Sequence, residues 1–195
     1  MRQSIDLPAD FVESAAALAG DEHIIMSIDP GKRCGVCVLN TATGRCESQT
    51  STLTEVAMSM VDVLSRLSTD RAVHVYAREA PYSVTNAALA SGRANAGALW
   101  SLGYSAGIVD AAASRWVQKG APRWEPQPVT WRSVLGLNTG ERTRAAVNDR
   151  VLEWAESTTG RRLRSRRGAK MYDEANAVAL AYATASVLAA ARRTR

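Results

Sequence analysis

The sequence has few of the residues that build disulfide frameworks or zinc sites, with three cysteines and two histidines among 195 residues. An odd number of cysteines argues against a disulfide framework. Cys34 and Cys37 form a C-x-x-C pair, but they lie in CGVCVL, a segment typical of a β-strand. Residues three apart in a strand point to opposite faces. The pattern therefore favours small core and turn residues over a zinc or redox motif.

The chain also has no uninterrupted apolar run close to the roughly 20 residues that span a bilayer. Its first twenty residues carry Asp6, Asp10 and Glu13 around and within their apolar part. A secretory signal does not have this pattern. We therefore expect the protein to stay in the cytoplasm of its cell or of a host.

Hydrophobic residues make up 46% and charged residues 22% of the chain, which is an ordinary globular composition. There are 24 Lys and Arg against 19 Asp and Glu, so the formal net charge is +5. A basic protein is compatible with nucleic acid or acidic membrane surfaces, and charge alone does not decide between them. The distribution is more informative, because the acids are scattered whereas six cations crowd into one short stretch: Arg161, Arg162, Arg164, Arg166, Arg167 and Lys170.

Hydrophobic patterning predicts an N-terminal extension over residues 1–22, with a short amphipathic helix, followed by one domain over residues 23–195. HIIMSID, VCVLN and RCESQTST are separated by turn residues and predict an antiparallel three-strand meander. TEVAMSMVDVLSRLS predicts a helix with Thr54 as its N-cap, and AVHVYAREA predicts a buried fourth strand.

The second half of the chain is mostly helical in pattern. A long Ala-rich helix is predicted from about Val84 to Ala113, and its four glycines indicate either close helix contacts or a break near Gly103. PRWEPQPV, with three prolines, predicts an edge strand. Further helices are predicted from Pro128 to about Gly136, from Arg142 to about Ser157 and from Tyr172 to about Ala190. This order of elements predicts a layered α/β domain.

Three carboxylates occupy special places in this pattern. Asp29 ends the first predicted strand, Glu79 ends the fourth, and Asp173 begins the last helix. If those two strands are neighbours, Asp29 and Glu79 face each other across one sheet edge, where a divalent cation would offset their repulsion. Hard oxygen ligands without a His or Cys cluster select magnesium or manganese. The alternative is that each acid is satisfied locally, by backbone donors or by the helix dipole.

The segments around these acids resemble the RuvC-like Holliday junction resolvases of the RNase H-like superfamily, phage-type members in particular. The resemblance runs from about Ile24 to Ala183 through IIMSIDPGKRCGVCVLN, VHVYAREAPY, TNAALASGRANAGALW, PVTWRSVLGL and DEANAVALAYA. It implies an RNase H-like fold, with a mixed five-stranded sheet, its first three strands antiparallel, and helices on both faces. It also implies metal-dependent paired nicking of four-way DNA junctions by a homodimer, without a membrane or a small-molecule cofactor.

In such an enzyme two Mg²⁺ or Mn²⁺ ions would be held at the catalytic site. The resemblance implies that Asp29 bridges both ions, that Glu79 holds one, and that Asp173 completes the other side. The family's fourth acid is replaced here by Asn176, whose amide can ligate a hard cation but brings no charge and cannot act as a base. Glu174 is about 100° round the helix from Asp173 and is a poor substitute.

The resemblance and the charges also nominate DNA-binding residues. Tyr82 matches an aromatic that stacks on bases at the junction centre, although a core tyrosine is an equal alternative. Phosphate contacts are expected from Lys32, Arg33, Arg93 and the basic cluster, with Lys170 the cation expected to reach the scissile region. The alternative for the cluster is a solvated face. The residues nominated are Lys32, Arg33, Tyr82, Arg93, Arg164, Arg166, Arg167 and Lys170.

Other functions remain open on the sequence. The same fold could cut flaps or forks, or could act on RNA. It could also bind junctions with weak or no cleavage, because Asn176 replaces the fourth acid.

Overall fold

The structure, a computed structural model, describes residues 7–67, 72–80, 96–138, 143–165 and 168–193. Its strands are β1 (Ile24–Asp29), β2 (Arg33–Asn40), β3 (Cys46–Thr52), β4 (Val75–Arg78) and β5 (Arg123–Trp124). Its helices are α1 (Ala9–Ala17), α2 (Val56–Leu67), α3 (Ala96–Ala113), α4 (Pro128–Val134), α5 (Arg144–Thr159) and α6 (Tyr172–Arg193).

The strands form one mixed sheet in the order β3-β2-β1-β4-β5. β1, β2 and β3 are antiparallel, as predicted, whereas β4 runs parallel to β1 and β5 runs parallel to β4. The edge position predicted for the proline-rich strand is confirmed, although only two of its residues pair with β4. The predicted α/β class and mixed five-stranded sheet are therefore confirmed.

Both faces of the sheet are covered by helices, because the strand residues alternate between two cores. Met26 and Ile28 of β1 face α2 and α3, whereas Ile25 faces α6 and the helices beside it. The two cysteines of the C-x-x-C pair also separate, since Cys34 belongs to the first core and Cys37 to the second. They cannot share a metal ion, as the strand pattern predicted.

The last helix, α6, is the main element of one core. By length and composition it is the one helix among the described residues that could cross a membrane, but most of its apolar stretch is buried inside the protein. Ala177, Leu180 and Ala181 are almost completely buried, as in the core helix of a layered domain. The Ser27 hydroxyl of β1 donates to the Ala177 carbonyl at 2.6 Å. This contact fixes the helix against the strand that carries Asp29.

The predicted cap of the second helix was wrong. Thr54 lies inside a 3₁₀ turn (Leu53–Glu55) and does not cap α2. The Thr52 hydroxyl instead donates to Glu55 at 2.7 Å, so the chain enters the helix through a tighter first turn. Of the two alternatives for the glycines of the long helix, the break near Gly103 is excluded, because α3 is continuous from Ala96 to Ala113. The first part of that predicted helix, residues 84–95, lies outside the described residues. A Cβ added at Gly103 or Gly107 would meet no atom of the described chain within 4 Å, so neither glycine serves a close contact there.

The amphipathic helix expected in the N-terminal extension is α1. Phe11 and Ala15 are buried in the same core as α6, and the Phe11 ring lies 6.4 Å from that of Trp124 on the edge strand β5. The division of the chain at residues 22 and 23 stays a prediction.

Candidate active site

Asp29 and Glu79 lie side by side at the ends of two neighbouring strands. Asp29 is the last residue of β1, and Glu79 directly follows β4, which pairs with β1 in parallel. The Glu79 amide donates to the Ile28 carbonyl at 3.0 Å, so the strand register continues to the two acids. The expected adjacency of the first and fourth strands is confirmed, and it brings both carboxylates to the same sheet edge.

The first turn of α6 brings Asp173 and Asn176 to this edge. Asn176 Nδ2 donates to Asp29 Oδ2 at 2.9 Å. The other amide atom, Asn176 Oδ1, is buried and has no hydrogen-bond partner among the described residues. Glu174 turns away, as predicted, since it is buried and accepts a hydrogen bond from Ser48 of β3 at 2.7 Å.

Gly35 sets the distance between the sheet and the start of α6. It pairs with Asp29 across β1 and β2. A Cβ at this position would lie 1.9 Å from the Asp173 carbonyl oxygen and 2.9 Å from the Glu174 nitrogen. Only glycine therefore lets the helix start approach the strand so closely. The glycine at the third position of β2 is thus a requirement of the site.

These groups line one cavity of about 640 Å³. Three acids and four cations surround it: Asp29, Glu79, Asp173, Lys32, Arg33, Arg132 and Arg144. Tyr172, Asn148 and Asn176 add polar atoms to the wall. A cavity with acids grouped at the sheet edge and cations around them can hold a cation and an anion together.

The carboxyl groups are held in an environment that resists ionisation. Burial raises the pKa of Asp29 well above its usual range, and the neighbouring charge of Glu79 raises it further, against the hydrogen bond from Asn176. Burial likewise raises the pKa of Glu79, opposed by the hydrogen bond from Trp131 and the charge of Arg132. Burial also raises the pKa of Asp173, opposed by the charges of Arg33 and Arg144. Carboxyl groups with raised pKa values in a cleft are typical of functional sites.

Sequence reasoning missed three residues of this cavity. Trp131 is fully buried and donates from Nε1 to Glu79 Oε2 at 2.9 Å. Arg132 and Arg144 line the cavity, although neither was nominated. They come from α4 and from the start of α5, and only the PVTWRSVLGL segment gave any signal in this part of the chain.

The nominated DNA-binding residues have mixed outcomes. Lys32 and Arg33 are exposed and line the cavity. Lys170 is not among the residues that line it, and its ammonium group is paired with Asp149, so its contact with the scissile region stays a prediction. Arg164 is paired with Glu156 at 3.3 Å, so this part of the cluster forms internal ion pairs. The other nominated residues lie outside the described part of the chain: Tyr82, Arg93, Arg166 and Arg167.

Among the described residues, no three Asp, Glu, His or Cys side chains form a ready-made metal cluster. The donors that are present are nevertheless hard oxygen atoms, and one of them, Asn176 Oδ1, is buried without a partner. Burial is the largest cause of the raised pKa of Asp29, and the charges of Glu79 and Asp173 at the same place raise it further. A hard divalent cation would satisfy the orphaned oxygen and offset this repulsion, so the residues fit such an ion.

Trp131→Phe is expected to raise the pKa of Glu79, because it removes the hydrogen bond that favours the ionised carboxylate. At neutral pH the lost bond should cost about 1.5–3 kcal/mol of unfolding free energy beyond the loss of ring volume. The measurement is a ¹³C NMR titration of the Glu79 carboxyl, together with denaturant unfolding. Trp124→Phe is the matched control, since Trp124 is also buried but is not among the residues that line the cavity of the carboxylates. An equal Glu79 pKa in both variants would contradict this account of Trp131.

The fold resembles that of RuvC from T. thermophilus, whose structure was solved in complex with a Holliday junction substrate. The TM-score is 0.53 at 19% sequence identity, and the match covers 88% of this chain and 96% of the other. No protein-family model and no curated protein sequence matches the chain. The fold is therefore RuvC-like, within the RNase H-like class of α/β folds.

Proposed function

We propose that the protein is a metal-dependent endonuclease that cuts branched DNA, four-way junctions above all. The observation that carries this proposal is the convergence of Asp29, Glu79 and Asp173, from three separate elements, on one cavity rimmed by cations. The likeness to a RuvC solved with a Holliday junction supports the choice of substrate.

In this proposal Asp29, Glu79, Asp173 and Asn176 hold Mg²⁺ or Mn²⁺, with two ions in each site. Bound ions would activate water and stabilise the charge that develops on the phosphate oxygens. The chain itself does the positioning. Trp131 fixes one oxygen of Glu79, Asn176 fixes one oxygen of Asp29, and Gly35 holds the start of α6 against β2. Lys32 and Arg33 at the cavity rim would hold the DNA backbone.

Paired nicks on opposed strands require two sites related by a two-fold axis, so we include a homodimer in the proposal. α3 offers a surface for it, since Trp100 is 72% exposed and Tyr104 is 55% exposed. Their rings are stacked at 5.4 Å. Tyr104 also borders an apolar cavity of about 230 Å³ against α2. Large exposed aromatic side chains on one helix face are typical of a surface that another protein covers.

A panel of substrates tests the proposal: a four-way junction, a flap, a replication fork, a linear duplex and an RNA–DNA hybrid of the same sequence, each with Mg²⁺, Mn²⁺ or EDTA. We expect metal-dependent nicks on the junction and little cutting of the duplex. If the flap or the fork is cut in preference to the junction, the proposed metal-dependent cleavage stands but the preferred substrate is a different branched DNA. Cutting of an RNA strand in preference to these DNAs would contradict the proposal.

A second candidate function, junction binding with weak or no cleavage, is favoured by one observation. Asn176 stands where the resemblance places a fourth acid, and its amide donates to Asp29. A neutral residue there leaves the site with one negative charge fewer, which weakens the attraction for divalent cations.

Asn176→Asp separates the two candidates. Without metal it should lower the unfolding free energy by about 1–3 kcal/mol, because it removes a donor to Asp29 and adds a like charge beside it. With saturating Mg²⁺ we expect the nicking rate to change by less than about tenfold, a difference of about 1.4 kcal/mol in the barrier. Asn148→Asp is the control, since it adds the same charge to the cavity wall away from the Asp29 bond. If Asn176→Asp alone increases the nicking rate by more than about a hundredfold, or about 2.7 kcal/mol in the barrier, the second candidate is correct and the native protein mainly binds junctions.

A further inference from the structure

Arg132 is held in the cavity by the same short helix that orients Glu79. Trp131 and Arg132 are consecutive residues of α4. Trp131 donates to Glu79, and the guanidinium carbon of Arg132 lies 4.9 Å from the centre of the Trp131 ring. Stacking on an aromatic ring limits the positions of a guanidinium group and leaves its N–H groups available in the ring plane. The position of Arg132 is therefore coupled to the position of the Glu79 carboxylate.

The guanidinium group of Arg132 is incompletely satisfied. Its Nε is buried and has no hydrogen-bond partner among the described residues. A buried donor without an acceptor costs about 1–3 kcal/mol, and more when it is charged. The charge of Arg132 acts on Asp29 and Glu79, yet within the described ranges no ion pair joins it to either carboxylate. The described part of the chain therefore supplies no acceptor for this N–H group.

The other cations of the cavity differ from Arg132 in their surroundings. Lys32, Arg33 and Arg144 are exposed. Arg33 contacts the sulfur of Met171 at 3.7 Å. Exposed cations attract a DNA backbone without fixing one phosphate, whereas a partly buried and stacked guanidinium can receive an anion in one geometry.

We propose that Arg132 binds, through Nε and a neighbouring Nη, two oxygens of the DNA phosphodiester that lies against Asp29 and Glu79. This inference rests on the proposed nuclease function and adds a residue to it. A phosphodiester carries the acceptor oxygens that the buried Nε lacks, and arginine pairs with phosphate through two parallel hydrogen bonds. The contact places the phosphate between the cationic wall and the carboxylates. Arg132 is thus the residue that positions the phosphodiester for attack.

Arg132→Gln is expected to reduce the single-turnover nicking rate on a four-way junction by about a hundredfold, because one oriented charged donor is lost next to the reacting phosphate. Arg132→Lys should recover only part of the rate, since an ammonium group keeps the positive charge but cannot make the two parallel hydrogen bonds of a guanidinium group. Junction affinity in Ca²⁺ should fall by less than about tenfold in both variants, because the remaining phosphate contacts persist. Arg123→Gln is the matched control. Arg123 also stacks on an aromatic ring, that of Tyr76 at 5.6 Å, but it lies on the edge strand outside the cavity.

A second readout does not depend on cleavage. The ¹⁵Nε–¹Hε NMR signal of Arg132, identified by its absence from Arg132→Lys, should shift when the dinucleotide TpT is added to the wild-type protein with Mg²⁺. If the wild type cuts none of the branched DNAs and this signal still shifts, the proposed function fails while the phosphodiester site stands. The opposite result has three parts: the wild type nicks junctions, Arg132→Gln nicks as fast as Arg123→Gln, and the signal does not shift. That result would overturn the inference about Arg132 and leave the proposed function standing.

Discussion

Asp29→Asn is expected to reduce the nicking of a four-way junction by at least about a thousandfold. Asp29 interacts with each of the other proposed ligands, because both Glu79 and Asp173 act on its charge and Asn176 donates to it. Its loss would remove a ligand from the proposed ions, which supply several kcal/mol of transition-state stabilisation. Junction binding should persist, since Lys32 and Arg33 at the rim are unchanged.

The same substitution is expected to stabilise the metal-free protein at neutral pH. The folded-state pKa of Asp29 is raised above its unfolded value. Asp29 therefore makes its full contribution to the free energy of unfolding only below its ordinary pKa of about 4, where it is protonated in both states. This contribution is lost as the pH rises through the raised pKa of the folded protein. Asn carries no charge, so Asp29→Asn should unfold at a higher temperature than the wild type in EDTA. The wild type should gain stability on adding Mg²⁺, whereas Asp29→Asn should gain little.

Asp21→Asn is the matched control for both readouts. Asp21 is exposed and lies before β1, at the opposite end of the strand from Asp29. It should leave the nicking rate, the stability in EDTA and the response to Mg²⁺ close to those of the wild type. If the Asp29→Asn protein nicks as fast as the Asp21→Asn protein, Asp29 is not part of the catalytic site.

Gly35→Ala is expected to cost about 3 kcal/mol of unfolding free energy, the upper end of the usual range for overpacking, and most of the activity. The added Cβ would meet backbone atoms of Asp173 and Glu174, which cannot rotate out of the way as a side chain can. The start of α6 must then move away from β2, and Asp173 and Asn176 move with it. Denaturant unfolding measures the first effect, and the nicking rate of protein that remains folded measures the second.

Gly120→Ala gives the comparison for Gly35→Ala. Gly120 has a φ of 80°, and a Cβ there meets nothing within 4 Å. Its substitution should cost only the roughly 1–2 kcal/mol of a left-handed backbone conformation, with no effect on nicking. If Gly35→Ala is as active and as stable as Gly120→Ala, the close approach of α6 to β2 is not required.

The sequence was sufficient for the sheet and for the place of the acids. Asp29 ends an apolar run and is followed by Pro30 and Gly31, so hydrophobic patterning and turn chemistry both mark the end of β1. Glu79 ends the next buried run in the same way. Parallel neighbouring strands bring their ends to one edge, which is why both acids meet.

The cationic half of the cavity was harder to predict. Arg132 follows a tryptophan in a short helix whose direction depends on how α4 packs against α6, and periodicity does not reveal that packing. The ion pair of Lys170 could not be predicted for a related reason, since its partner Asp149 lies on α5 and becomes a neighbour only in the folded chain. Charge patterns show where cations are plentiful, and only the structure shows which of them are already paired.

The most direct test of the central claim is to map the nicks on a four-way junction whose four strands are labelled one at a time, with Mg²⁺ and with EDTA. The account predicts paired nicks at symmetric positions on two opposed strands with Mg²⁺, and intact strands with EDTA. Tight binding of the junction with all four strands intact in Mg²⁺ and in Mn²⁺ would contradict it, and would identify the protein as one that binds junctions without cutting them.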